Sequence, residues 1–156
     1  ARESRHRGVE AGGALVATRE LRLQARATWL DARTTRAVDP ETVGKRTPNV
    51  APFAASLAAA WQVPAIRGLE LSAVYTYTAG KPVTADNGVE LPSYWQWDVA
   101  AIYRWVWSGA RLSLTAGIDN LTDRRYWREA PTESWGGIYL FPAQPLTARL
   151  ALAVAW

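Results

Sequence analysis

The sequence predicts an all-β protein, an antiparallel meander of membrane-spanning strands with one apolar and one polar face. Three observations predict it. Seven stretches alternate apolar and polar residues at a period of two, the spacing at which strand side chains share a face. The connections between them run short, long, short, long. Aromatic residues gather at both ends of the apolar face, as they do where a side chain meets the membrane–water interface. Strands of about 10 residues with such a face and such connections form barrels that cross a membrane.

The first strand is read over Arg7–Ala17, with Val9, Ala11, Gly13, Leu15 and Ala17 facing outward. A tight turn at 18–20 leads to the second, Leu21–Leu30, where Leu21, Leu23, Ala25, Ala27 and Trp29 alternate with Arg22, Gln24, Arg26 and Thr28. Residues 31–52 are expected to be a long loop. The third strand is placed at Phe53–Gln62, although Pro52–Ala60 alone has the composition of a helix. Its period-two neighbours favour a strand. The fourth covers Leu69–Thr78 and is followed by a second long loop, 79–94, with Gly, Pro and Asn-Gly signals. The fifth, Trp95–Trp107, puts five aromatics on one face and turns at Ser108-Gly109 into the sixth, Ala110–Ile118. A two-residue turn pairs Trp107 with Ala110, so the outward parity changes from odd to even. A third long loop, 121–145, precedes the last strand, where Leu146, Ala148, Leu150, Leu152, Val154 and Trp156 share a face.

Composition narrows the function classes. The chain has 156 residues, one domain's worth, and no cysteine, which removes thiol chemistry and disulfides. No apolar run reaches the roughly 18 residues of a transmembrane helix. No signal-peptide pattern opens the chain, so a processed or truncated protein is expected. Nine tryptophans and a net charge of +4 invite a nucleic-acid reading. The spacing opposes it: Arg22, Arg26, Arg104, Arg111 and Arg149 stand singly on polar strand faces, without a basic run. No nucleic-acid partner is expected.

No catalytic constellation, metal-ligand spacing or cofactor motif appears, and the lone histidine, His6, lies near the N-terminal end. Neither an enzyme nor a cofactor is expected. The Ser108-Gly109 register sets Asp98 opposite Asp119 on the polar face, where like charges repel. Something cationic should sit nearby: either the pair contacts a cation or substrate, or it joins a salt-bridge network with Arg residues, and with Arg104 and Arg149 on the same face the four are read as a lumen charge cluster. Tyr94, Trp127, Trp135, Tyr139, Arg124 and Arg125 occupy long loops, where rigid aromatics and guanidinium groups suit an amphipathic, oxygen-rich ligand. These are the candidate ligand contacts. The loop cations equally suit lipopolysaccharide phosphates.

Several segments resemble the TonB-dependent outer-membrane receptors in their C-terminal barrel portion. Arg7-Gly8-Val9-Glu10 looks like a strand opening of that family, and Gly44-Lys45-Arg46-Thr47-Pro48-Asn49-Val50-Ala51-Pro52 like a loop leading into a strand. Leu91-Pro92-Ser93-Tyr94 with Asp98, and Ile118-Asp119-Asn120-Leu121-Thr122-Asp123-Arg124-Arg125-Tyr126, are similar to two further segments of the family, and the final alternating strand ends on an aromatic. Thr122 stands where an aromatic is usual, Leu146 where Arg is frequent and Trp156 where Phe is commoner. The segment order looks most like receptors for ferric siderophores. The resemblance implies that residues 1–156 are the C-terminal part of a 22-stranded barrel in the bacterial outer membrane, with a plug domain N-terminal to this chain. It implies a siderophore-type solute, the TonB complex reached through that N-terminal region, the bilayer and lipopolysaccharide as surroundings, and a barrel-insertion machinery that reads Trp156. The alternative is a small self-contained outer-membrane barrel with a structural or adhesive role.

Overall fold

In the computed structural model, residues 2–131 and 136–156 are described. Seven long strands form one antiparallel sheet in the order β1 (Glu3–Val16), β2 (Leu21–Arg36), β3 (Phe53–Gln62), β4 (Leu69–Thr78), β7 (Tyr94–Trp107), β8 (Ala110–Asp119) and β11 (Thr147–Ala155). Four short strands lie in the loops: β5 (Lys81–Pro82) pairs with β6 (Glu90–Leu91), and β9 (Trp127–Glu129) with β10 (Phe141–Pro142).

Every neighbouring pair in the large sheet is consecutive among the long strands, so the meander holds throughout. The third and fourth strands begin and end where the alternation predicted. Residues 53–60 are strand rather than helix, because both edges of β3 find partners: Ala59 pairs with Leu23 of β2 and with Ala73 of β4. Local helix propensity yields to two ladders of hydrogen bonds.

Two boundaries differ from the sequence reading by several residues, and the others by one at most. The first strand begins at Glu3, and the second continues to Arg36, so residues 31–36 are not loop. The reason is a partner on each side. Glu3–Arg7 of β1 covers one edge, while on the other the Thr34 N–H donates to the Lys45 carbonyl at 3.0 Å and the Thr47 N–H to the Ala32 carbonyl at 2.9 Å. Tyr94 opens β7 instead of ending the loop.

The turns explain themselves locally. Thr18 Oγ1 accepts from the Glu20 and Leu21 N–H groups and closes the first hairpin. Ser108 and Gly109 both have positive φ, 53° and 84°, which is the type I′ geometry that matches the twist of the strands it joins. Gly68, at φ 90°, passes so close to the Arg104 carbonyl that a Cβ would collide with backbone.

A single sheet has no second layer to bury its apolar side. Val9, Leu15, Trp29, Leu57, Leu150 and Leu152 are all exposed, and all lie on one face. Among the loops, Val83, Leu91 and Ala130 form a small buried core. The aromatics divide into two bands on the apolar face. Trp29, Phe53, Tyr77, Tyr75, Trp95 and Trp97 run across β2, β3, β4 and β7 at the long-loop end, with Tyr75–Trp97 centroids 5.0 Å apart. Tyr103 stacks on Trp105 at 5.3 Å toward the short-turn end, with Trp107 beyond. The outer strands β1 and β11 are not hydrogen-bonded to each other, so the sheet is open.

Candidate functional site

The polar face carries a connected cluster at its long-loop end. Tyr94, Gln96 and Asp98 follow one another at period two on β7, so all three project to that face. Tyr126, from the third long loop, lies flat on Tyr94 with ring centroids 4.0 Å apart and planes 13° from parallel. Its hydroxyl donates to Gln96 Oε1 at 2.6 Å, and Gln96 Nε2 donates to Asp98 Oδ1 at 2.6 Å. The same Asp98 oxygen accepts the Asn120 N–H at 2.8 Å. Burial raises the Tyr126 phenol above its ordinary value, the neighbouring Tyr94 and the Asp98 carboxylate add to this, and Arg128 opposes it. The hydroxyl is therefore a donor throughout the neutral range.

Asn120 holds the loop that delivers Tyr126. It is fully buried at φ 52°, a left-handed conformation Asn tolerates. Its amide donates to the Arg124 and Gln144 carbonyls, both at 3.0 Å, and accepts the Arg124 N–H at 3.0 Å. Two other asparagines at positive φ join the remaining loops. Asn49 donates its N–H to the Pro82 carbonyl at 2.7 Å and accepts from the Ala130 N–H at 3.3 Å. Asn87 exchanges two hydrogen bonds with the Arg46 backbone, and Arg46 pairs with Glu90. The three long loops thus share one core and one set of links. Lys81 is buried within this cap, where desolvation lowers its pKa, Glu129 partly offsets that and Arg128 adds to it.

The predicted charge cluster separates into three. Arg149 lies across Gly117, where a Cβ would sit 3.0 Å from its Nε, and reaches Asp119 at 2.9 Å. Asp98 is satisfied by Gln96 and Asn120 instead. Arg104 belongs elsewhere on the polar face: it approaches Glu70 at 3.9 Å, and the same carboxylate takes Arg22 at 3.0 Å and Gln62 at 2.6 Å.

The predicted ligand contacts also divide. Tyr94 is on the polar face. The Arg124 guanidinium sits 4.6 Å from the ring centroid of Trp95, which belongs to the apolar face. Arg124, Arg125 and Trp127 line a cleft of about 750 Å³ together with Tyr126, between Pro92 and the segment Pro142–Pro145. Tyr139 is half exposed, and its N–H donates to the Pro131 carbonyl at 3.2 Å. Trp135 lies outside the described residues. Trp156 is almost fully exposed at the end of the chain. Sequence reasoning missed Gln96, Tyr126 and Asn120 as site residues. Gln96 had a signal, its place between Tyr94 and Asp98 at period two; the contact of Tyr126 across 30 residues with Gln96 had none.

Among the described residues, no three His, Cys, Asp or Glu groups come together as metal ligands. The cluster offers hydrogen-bond donors and acceptors, stacked rings and nearby guanidinium groups. Such a set can hydrogen-bond and stack against a polar, oxygen-rich solute.

Residues 1–121 match the family described as TonB dependent receptor-like, beta-barrel. The chain is similar to the ferrichrome receptor FcuA of Yersinia enterocolitica, with 26% identity over 152 residues, 97% of this chain and 20% of that protein. The chain thus spans about a fifth of that receptor's length. Among solved structures it resembles BauA, the ferric preacinetobactin receptor from Acinetobacter baumannii, with a TM-score of 0.83, 26% identity and coverage of 97% of this chain and 22% of that one. It also resembles the siderophore receptor PiuA from the same organism, with a TM-score of 0.77, 27% identity and the same coverage of 97% and 22%. The apolar outer face, the polar inner face and the interlinked loops are those of an outer-membrane barrel wall, and the chain belongs to the TonB-dependent receptor β-barrel family.

Proposed function

We propose that this chain is the C-terminal wall of a receptor that takes up a ferric siderophore or a similar scarce solute across the bacterial outer membrane. On this reading the rest of a 22-stranded barrel and an N-terminal plug complete the protein, and the TonB complex acts through that N-terminal region. One observation carries the proposal: the Tyr94–Tyr126–Gln96–Asp98 cluster, at the long-loop rim and on the polar face, in a chain similar to ferrichrome and preacinetobactin receptors. The rim is where a solute arriving from the medium first meets the lumen. Stacked tyrosines bind with little loss of side-chain entropy. Their hydroxyl groups and Gln96 match the oxygen-rich shell of a ferric chelate. The open sheet opposes the self-contained barrel, because unpaired strand edges in lipid cost several kcal/mol per backbone group.

A binding titration on the full-length receptor tests it. Tyr94→Ala and Tyr126→Ala are expected to weaken binding of the cognate ferric siderophore about tenfold, the loss of one aromatic contact with its hydrogen bond, while surface expression holds. An unchanged Kd across a panel of ferric siderophores, ferric citrate, cobalamin and haem would remove this cluster from the solute path.

A further inference from the structure

A separate cavity opens at the long-loop end of the polar face, beside β1 and β2. Its volume is about 490 Å³, within the range of small-molecule sites. Each long loop supplies part of its wall: Thr47 and Asn49 from the first, Thr84 from the second and Ile138 from the third. Arg2 and Ser4, at the start of β1, close it. Ser4 pairs with Thr34 in the sheet, and the Arg2 guanidinium donates to the buried Thr34 Oγ1 at 2.9 Å, so both belong to the polar face. The cavity shares no residue with the Tyr94–Tyr126 cluster or its cleft, and β3 and β4 stand between β2 and the β7 strand that carries Tyr94.

The groups left over in this cavity are one-sided. The fold consumes its amide and loop acceptors: Asn49 Oδ1 takes the Ala130 N–H at 3.3 Å, and Thr84 Oγ1 takes the Val89 N–H at 3.2 Å. What remains is the rest of the Arg2 guanidinium, the Asn49 side-chain NH₂ and the hydroxyls of Ser4 and Thr47. Thr47 Oγ1 is buried and has no hydrogen-bond partner, which native folds rarely leave without a purpose. No carboxylate lines the cavity, and among the described residues none lies within ion-pair distance of Arg2. A guanidinium with neutral donors around it and no competing carboxylate suits an anionic ligand whose surface carries oxygen acceptors.

We propose that this cavity is a second solute site, which takes an anionic ferric chelate through the acceptor oxygens at its periphery. The inference rests on the reading of the chain as part of a receptor for such solutes. It adds a charge preference, because the groups that Tyr94, Tyr126 and Gln96 offer are uncharged. Arg2 supplies the charge, and Thr47, Ser4 and Asn49 supply the neutral donors.

Equilibrium dialysis of the full-length receptor, read out as bound iron, tests it. The probes are ferric citrate and ferric enterobactin as anionic chelates, ferrichrome as a neutral one, and iron-free citrate as a competitor. The wild type is expected to bind two equivalents of an anionic chelate and no more than one of ferrichrome. The double substitution Arg2→Gln, Thr47→Val is expected to weaken one of the two anionic sites about tenfold, the magnitude of one charge-assisted contact, and to leave the other unchanged. Tyr94→Ala with Tyr126→Ala should do the converse. The two readings therefore fail separately: a single equivalent that responds only to the tyrosines overturns this proposal and keeps the cluster, and no binding of any probe overturns both. Thr47→Val alone guards against a folding defect. Its hydroxyl bonds nothing in the protein, so the melting temperature should hold or rise while the Kd of the second site increases several-fold. An unchanged Kd in both Thr47→Val and the double variant, or equal second-site binding of ferrichrome, would overturn the proposal. Competition by iron-free citrate at the affinity of the ferric chelate would assign the cavity to a free anion and overturn the chelate as its ligand.

Discussion

Asn120 illustrates how one side chain organises this rim. It has no exposed surface, it adopts a conformation few residues tolerate, and its amide makes three hydrogen bonds to the backbone of the third long loop. Replacing it by Ala removes all three and leaves two carbonyls and one N–H without their partners in a buried place. The expected cost is about 3 kcal/mol of local stability. The readout is hydrogen exchange in the full-length receptor: residues 121–131 should exchange faster in Asn120→Ala, while the strand β8 before them stays protected. Retained protection of that segment would mean that Asn120 does not hold it. Gly117 is the complementary case, where the lack of a side chain is the function. Arg149 crosses the sheet over it to reach Asp119, and a methyl group there would press on the guanidinium. Neither role is visible in the sequence, because each depends on a partner in another strand or loop.

At the scale of the strand, the alternation made nearly everything legible. Facing is set by period two, and a register error of one residue would have inverted a whole strand. The parity switch at Ser108-Gly109 follows from turn length alone, and the pairings Trp107↔Ala110 and Trp105↔Leu112 obey it. What the alternation could not supply is structure created by contact between loops. The six extra residues of β2, the β5–β6 and β9–β10 hairpins and the links through Asn49 and Asn87 arise from segments up to 81 positions apart, such as Asn49 and Ala130. The sequence placed Arg124 in a long loop but gave no sign that it would cover Trp95 of the apolar face, because no local pattern says toward which face a loop folds. The facing itself has a direct test. Leu150 is on the apolar face and is 74% exposed, whereas its neighbour Ala151 faces the other side. Arg at position 150 puts a charge into lipid, at about 2–4 kcal/mol near the midplane; Arg at 151 puts it in the lumen. Heat-modifiable mobility of the full-length receptor should show poor assembly for Leu150→Arg and near-normal assembly for Ala151→Arg. Equal effects would contradict the register.

For the whole molecule, the controlling fact is that the seven-stranded sheet is open. Its outer strands present unpaired N–H and carbonyl groups, and its apolar face has no protein layer against it. Both conditions are met only inside a closed barrel in a bilayer, so assembly depends on how the open edge at β11 is received. β11 ends at Ala155, and Trp156 follows it with 96% of its surface exposed. It lies at the short-turn end of the sheet, in the same band as Trp105 and Trp107, where an indole can anchor the edge at the interface. If Trp156 is read during insertion, its removal acts on the rate and yield of assembly and leaves the stability of the finished barrel nearly unchanged. Deleting Trp156 from the full-length receptor should lower its level in the outer membrane several-fold, while the fraction that does assemble melts at the wild-type temperature. Trp156→Phe should restore the level, since an aromatic ring is retained. An unchanged level in the deletion would assign Trp156 to the membrane interface alone, and a lowered melting temperature of the assembled fraction would make it a structural anchor instead of an assembly signal.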